Sequence, residues 1–316
     1  MRNIKYSIII PVYNSGDWLE ELVKGVAEVI ETECKCYEII LVNDGSPKFE
    51  TWSIMCGLTV KYKNLVAINL SYNSGQQNAI MCGLRHANGD YIITMDDDFQ
   101  HSPSYILSLI DKINSADADV VIAQYEVKEH SLIRRVGSSI VNGIHTKIYH
   151  KPKDVTSNSY RIMKKWVADT ISMYNGKSPQ IGPLIFSIRP QIATIMIKHE
   201  KRKYGNSGYS PFRLISETFN IILNGSTFYV DCVASFGFAI SFISIVLIIY
   251  YLLKYAIGGI GVKGYTSQMI LMIFSLGIIT MSIGIVGKYI GKIIKETSGY
   301  PPYFEREIRS SAEEEK

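Results

Sequence analysis

Three consecutive carboxylates, Asp96-Asp97-Asp98, close the apolar run Tyr91-Ile92-Ile93-Thr94-Met95 and lead into Phe99-Gln100-His101-Ser102-Pro103. Adjacent acids repel one another, so a fold keeps them together only with compensation. A divalent cation can supply it. Mg²⁺ or Mn²⁺ takes hard oxygen ligands, often one or two carboxylates together with phosphates. In an extended segment successive side chains alternate, so Asp96 and Asp98 are expected on one side and Asp97 on the other. Gln100 continues on the Asp96 side and offers an amide oxygen. The competing reading is a solvated acidic turn after a buried strand.

The surrounding elements decide between the two. The spacing predicts strands over 7–12, 37–42, 65–70, 91–95 and 119–123. It predicts helices over 17–30 and 76–87. In the first helix Leu19, Leu22, Val23, Val26 and Ile30 share one face. The strands are apolar without alternation, which implies a parallel α/β sheet covered on both faces. Ligands of such sheets bind beyond the carboxyl ends of the strands. Polar residues fall at those ends: Asn14, then Asn43-Asp44-Gly45-Ser46, then Ser71-Tyr72-Asn73, then Asp96 to Asp98. Any one of them could be a helix N-cap, Asp44 and Ser46 included. Four such ends on one rim favour a binding site.

The last third differs. Residues 233–253 carry no charge, which is long enough for a bilayer core. Residues 269–286 form a second uncharged stretch, extendable past Lys288 by snorkelling. A buried hairpin in a soluble core is the alternative. Lys198, Lys201, Arg202, Lys203 and Arg213 precede the pair, and Lys288, Lys292 and Lys295 follow it. The positive-inside rule then puts both termini in the cytosol and the 254–267 loop outside. Residues 211–223 are amphipathic and basic, as in a helix lying in the membrane interface or one packed on a core. The organisation expected is a domain over 1–210, a juxtamembrane segment over 211–230, a two-helix hairpin over 231–292 and a cytosolic tail over 293–316.

Composition excludes other classes. Net charge is only +4, which gives no case for nucleic acid. The hydrophobic fraction is 47%, high for a soluble enzyme, and the excess sits in the last third. The five cysteines are scattered. Cys34-x-Cys36 lacks the second pair of a zinc site, so all five are read as reduced thiols. No signal peptide is expected at the N-terminus.

Taken in order, Pro11-Val12-Tyr13-Asn14, Val42-Asn43-Asp44-Gly45-Ser46, Leu70-Ser71-Tyr72-Asn73-Ser74-Gly75 and Asp96 to Pro103 resemble the GT-A domain of family 2 glycosyltransferases. With two terminal spans, the chain resembles the bacterial polyprenyl-phosphate glycosyltransferases, relatives of dolichol-phosphate mannose synthase and the bactoprenol glucosyltransferases. The resemblance implies an inverting transfer from a nucleotide-diphosphate sugar, a UDP-sugar first of all, to undecaprenyl phosphate at the cytosolic face of the inner membrane. It implies a lipid-linked monosaccharide as product, Mg²⁺ or Mn²⁺ as cofactor, and a homo-oligomer, a tetramer in the family.

By the same resemblance Pro11, Tyr13, Asn14, Ser46 and Asp97 would line the donor pocket, and Asp44 would hold uracil or ribose. Asp96, Asp98 and Gln100 match the metal and diphosphate positions, with Asp98 central to catalysis. On the acceptor side Arg134, Arg135, Ser138 and Ser139 match an Arg-x-x-x-Ser pattern, and Arg202 lies in the basic loop before the interface helix. A solvated basic helix face is the alternative for the arginine pair. Ser159 stands where relatives carry an acid, which leaves Asp154 as the nearest base. Gln76-Gln77 replaces the basic residue or histidine of many relatives. Two other functions remain open: a membrane glycosyltransferase that extends a lipid-linked oligosaccharide or polysaccharide, and a non-catalytic membrane scaffold. The Gln-x-x-Arg-Trp motif of processive synthases is missing around Trp18, Trp52 and Trp166.

Overall fold

The computed structural model describes residues 4–125, 152, 155, 158–198, 264–297 and 299–311, together with positions 246, 249, 253 and 257. Two units separate: Met1–Phe212 with Gly299–Lys316, and Arg213–Ser298.

The first unit alternates strand and helix: β1 (Tyr6–Val12), α1 (Trp18–Glu33), β2 (Tyr37–Asn43), α2 (Phe49–Lys61), β3 (Leu65–Leu70), α3 (Gln76–His86), β4 (Tyr91–Thr94), α4 (Tyr105–Ser115) and β5 (Val120–Tyr125). Next come β6 (Arg161–Lys164), α5 (Lys165–Ser172), α6 (Ile181–Ile188) and β7 (Ile192–Ile197). A last strand, β8 (Glu305–Ser310), closes the edge. The sheet order is β7-β5-β6-β4-β1-β2-β3-β8. β1 pairs in parallel with β2 and β4, β2 with β3, and β5 with β7. β6 runs antiparallel between β4 and β5, and β8 antiparallel to β3.

Every residue of β1 and β2 is buried, as strands covered on both faces must be. One core joins Ile8, Ile10 and Leu41 to the apolar stripes of α1, α2 and α4. The other joins Ile9, Ile40 and Val42 to α3, α5 and α6. Pro11 costs no hydrogen bond on the β4 side, because that ladder ends at Ile9 opposite Thr94. On α3, Gly83 sits so close to β1 that a Cβ there would lie 2.4 Å from Ile9 Cγ2.

The chain runs from β1 outward through β2 to β3, then returns to place β4 on the other side of β1. That reversal is the switch point of a doubly wound sheet, where loops diverge and leave a crevice. Asn14 follows β1 and Asp96 follows β4, so both stand at it.

Several elements escape the sequence reading. In α2 the buried residues are Thr51, Trp52, Met55, Leu58 and Thr59, a mixed stripe that hides the helical period. The expected tail over 293–316 holds one of these elements. Residues 305–310 form an edge strand of the first unit, Glu-Arg-Glu-Ile-Arg-Ser, whose charges obscure it in sequence. Charged edge strands are common, because they discourage pairing with other chains.

In the second unit α7 (Tyr265–Thr297) is a helix of 33 residues, uncharged from Tyr265 to Gly287. Among the described residues, no helix is long and apolar enough to cross a membrane. The expected first span over 233–253, apart from single positions, and the expected interface helix over 211–223 lie outside the described residues.

Candidate active site

The rim is built by four strand ends. β1 delivers Tyr13, Asn14 and Ser15; β2 delivers Asn43 to Ser46; β3 leads to Ser74 and Gly75; β4 leads to Asp96, Asp97 and Asp98. Two short networks hold them in place.

The first network ties β2 to its neighbours. Ser46 Oγ donates to Asn43 Oδ1 and accepts the Asn14 N–H at 2.9 Å. Asn43 Nδ2 donates to Asn69 Oδ1 at 2.8 Å. Asn14 adopts a left-handed backbone, φ 57°, which asparagine tolerates better than most residues. Its buried Oδ1 has no hydrogen-bond partner. Gly45 is also left-handed, and the Tyr72–Asn73 backbone presses against its Cα.

Asp44 is buried at this rim. Its carboxylate accepts the Ser74 N–H at 2.7 Å and the Gly75 N–H at 3.0 Å. Gly75 is the N-cap residue of α3, so Asp44 caps a helix that follows a different strand. Burial nevertheless pushes Asp44 up to about 6, against those two N–H bonds. A folded-state value above that of a free carboxyl means that ionised Asp44 costs stability at neutral pH. The cost fades as the pH falls through about 6 toward about 4, where the folded chain holds a proton that the unfolded chain lacks. Asp44→Asn should therefore raise stability relative to wild type at about pH 7 and lose most of that advantage by about pH 4. Urea melts at both pH values measure it; parallel offsets would show an ordinary carboxyl at this position.

The second network holds the acids. Asp97 accepts the Ser15 hydroxyl and so bridges β1 to β4 across the switch point. Asp96 turns elsewhere: Oδ1 accepts Gln76 Nε2 at 2.6 Å and Oδ2 accepts Ser159 Oγ at 2.7 Å. The opposed directions of Asp96 and Asp97 agree with alternation. Alternation stops there, because Phe99 is left-handed at φ 59°. Gln100 is related to Asp98 by a turn, its backbone N–H donating to Asp98 Oδ1 at 3.1 Å, and not by extended register.

Burial first, and then the charges of Asp96 and Asp98, push Asp97 up to about 7 against the pull of the Ser15 bond. Among the described residues, one buried cation faces this charge from inside. Arg161 is buried at the start of β6, its Nε donates to Thr94 Oγ1 at 3.2 Å, and its Nη1 lacks a hydrogen-bond partner. Burial lowers Arg161 to about 10, and only the charge of Asp96 works against that. Beneath the acids His101 is buried between Tyr125 and Tyr160. Its Nδ1 accepts the Asp96 N–H at 3.4 Å, and its Nε2 shares a hydrogen bond with the Tyr125 hydroxyl at 2.8 Å.

Three carboxylates against one buried guanidinium leave the rim electron-rich, with oxygen donors. Such a donor set fits a hard divalent cation.

The structure brings together Tyr13, Asn14, Asp44, Ser46, Asp96, Asp97, Asp98 and Gln100 on this rim, with Pro11 buried in β1 just below. Arg134, Arg135, Ser138, Ser139, Asp154 and Arg202 lie outside the described residues. Ser15, His101 and Arg161 join the site without having been singled out. His101 is two residues past Phe99 in the acidic motif, but nothing local signals that Ser15 or Arg161 would meet the acids. Gln76 and Ser159, which depart from the family pattern, both bind Asp96.

A doubly wound sheet with an acidic rim at its switch point places a ligand site beyond the carboxyl ends of the strands. The family profile of glycosyl transferase family 2 matches residues 7–174, more than half of the chain, and the chain belongs to that family. It is a glycosyltransferase with the GT-A fold. Over 314 residues it is 29% identical to the undecaprenyl-phosphate 4-deoxy-4-formamido-L-arabinose transferase of Salmonella choleraesuis (strain SC-B67), covering 96% of this chain and 93% of that one. The enzyme of the same name from Salmonella newport (strain SL254) matches to the same extent. Among solved structures, glucosyl-3-phosphoglycerate synthase of Mycobacterium tuberculosis, in complex with Mn²⁺, UDP and phosphoglyceric acid, shares the fold. That match has a TM-score of 0.52 at 12% identity and covers 70% of this chain and 76% of the other.

Proposed function

We propose that this chain moves a sugar from a nucleotide-diphosphate donor, a UDP-sugar first of all, to undecaprenyl phosphate, with inversion at the anomeric carbon. The observation that carries the reading is the likeness to an undecaprenyl-phosphate sugar transferase along 96% of the chain, well beyond the family domain.

The switch-point rim supports the donor half of the proposal. Tyr13, half exposed, and Asn14, with its unpartnered Oδ1, face the nucleotide from the end of β1. Asp44 and Ser46 bind it from the end of β2. Asp97 keeps the two halves of the rim in register through Ser15. Asp96 and Asp98, with Gln100, would hold Mg²⁺ or Mn²⁺. Bound there, the cation neutralises charge on the departing diphosphate.

Ser159 donates its hydroxyl to Asp96, so it serves as a positioning group and not as a base. A strong base is not required. A phosphate monoester has a second pKa of about 6, so the lipid phosphate is mostly a dianion at neutral pH and is itself the nucleophile. Arg134, Arg135, Ser139 and Arg202 are the residues proposed to bring that dianion beside the sugar, because the arginine fork binds phosphate oxygens in pairs. Asp154 is the proposed base if one acts.

The uncharged sequence runs 233–253 and 269–286 are the basis on which a hairpin in the inner membrane, with both termini cytosolic, is proposed, and assembly as a homo-oligomer is proposed with it.

Incubation of membranes holding the full chain with a panel of labelled UDP-sugars and undecaprenyl phosphate tests the reading. One chloroform-soluble labelled product is expected. A polymeric product would favour an enzyme that extends a polysaccharide, and no transfer from any donor would leave a scaffold.

A further inference from the structure

Among the described residues, one group of three side chains with metal-ligand chemistry stands apart from the acidic rim: Cys82, His86 and Glu305. Cys82 and His86 are four residues apart on α3, hence one helical turn apart on one face. Glu305 opens β8. The C-terminal strand therefore delivers the third group to a pair that the helix prearranges.

Glu305 Oε1 lies 3.5 Å from Cys82 Sγ and 3.0 Å from His86 Nε2, and the three ligand atoms all fall within 4.8 Å of one another. Zinc binds thiolate at about 2.3 Å and imidazole or carboxylate at about 2.0 Å, so tetrahedral angles separate sulfur from oxygen by about 3.5 Å and nitrogen from oxygen by about 3.3 Å. The two pairs already stand close to those separations. The neighbouring cation does not compete for the position, because Arg85 is turned to the Tyr303 hydroxyl at 3.0 Å and the Tyr174 carbonyl at 2.9 Å. His86 and Glu305 are each about one-third exposed, at 33% and 31%, which leaves an entry path and room for a water as fourth ligand. Cys82 is fully buried.

We propose that Cys82, His86 and Glu305 form a three-ligand site for a transition cation of the zinc class, which ties β8 to α3. Thiolate and imidazole select such a cation over Mg²⁺, whose ligands are all oxygen. Cys82 enters as thiolate and its proton leaves to solvent as the cation binds. Cys82 is a free thiol, as the sequence implies, but its spacing from Glu305, more than two hundred positions along the chain, gives no local sign of such a cluster.

The test uses the full chain in detergent, stripped with chelator and titrated with Co²⁺ in excess Mg²⁺. A thiolate-to-cobalt charge-transfer band saturating at one Co²⁺ per chain is expected, and Zn²⁺ should abolish it by displacement. The oxygen ligands of the acidic rim cannot produce that band. Cys82→Ser should lose it, whereas Cys34→Ser and Cys56→Ser should keep it. Glu305→Gln, at a partly exposed position, keeps the test independent of any folding defect at Cys82. It should weaken Co²⁺ binding at least about tenfold, the smaller end of what even outer-shell changes cost. No band in the wild-type chain, or a band that survives Cys82→Ser, would overturn the site.

Discussion

Asp98→Asn is expected to lower glycosyl transfer at least about a hundredfold, the scale on which loss of one preorganised electrostatic partner is felt. The substitution keeps size and shape, and the amide oxygen can still accept the Gln100 N–H, so the turn at Phe99 survives. What goes is a charge in an electron-rich rim. That rim shows its imbalance in Asp97, pushed up to about 7 by burial and by its two acidic neighbours. The only buried cation facing it is Arg161, among the described residues, and its interaction is with Asp96. Turnover of the variant, measured with the donor found in the UDP-sugar screen, checks the expectation. Wild-type activity should also vanish with chelator and return with Mg²⁺ or Mn²⁺. Full activity in excess chelator would mean that the carboxylates act without a cation.

Gly45→Ala is expected to be the most destabilising single-methyl change on the rim. The backbone φ of 57° is strained for any residue with a Cβ. The added Cβ would also lie 2.2 Å from Tyr72 C and 2.5 Å from Asn73 N. Both are backbone atoms, so no rotamer change relieves the clash. Left-handed strain costs about 1–2 kcal/mol and overpacking a further 1–3 kcal/mol. A total of about 2–5 kcal/mol is a large share of a typical domain's stability. Relief by moving the 72–73 segment would pull Ser74 and Gly75 away from Asp44 and disorder the rim. Gly57→Ala is the control. Gly57 lies inside α2 with open space around it, so alanine should be neutral or stabilising by up to about 1 kcal/mol. Denaturant midpoints of the two variants compare them. Equal midpoints would show that the β2–α2 turn yields easily.

The amino-acid sequence by itself determined the direction of the sheet and the place of its rim. Runs such as Ile8 to Val12 and Ile39 to Val42 are apolar on both faces, and that pattern admits only a covered, mostly parallel sheet. Once strands are parallel, polar residues at their ends share one rim, so Asn14, Asp44 and Asp96 to Asp98 are legible as a site before any contact is known. The length and neutrality of the 265–287 run are equally local properties.

Which groups meet on that rim was decided only by the tertiary structure. Asp97 finds Ser15 because β4 pairs with β1 and not with β3. Local periodicity carries no record of strand order. Asp44 was legible as a cap, but its helix is α3, beyond the next strand, because the turn at Gly45 lets the 72–75 segment come close. Gln76 and Ser159 reach Asp96 from α3 and from the approach to β6, 20 and 63 positions away. The strand Glu305 to Ser310 has no apolar face to betray it, since an edge strand needs only one side covered. In each case the deciding interaction is long-range. It depends on which surfaces the two cores bring together, and a window of neighbouring residues does not hold that information.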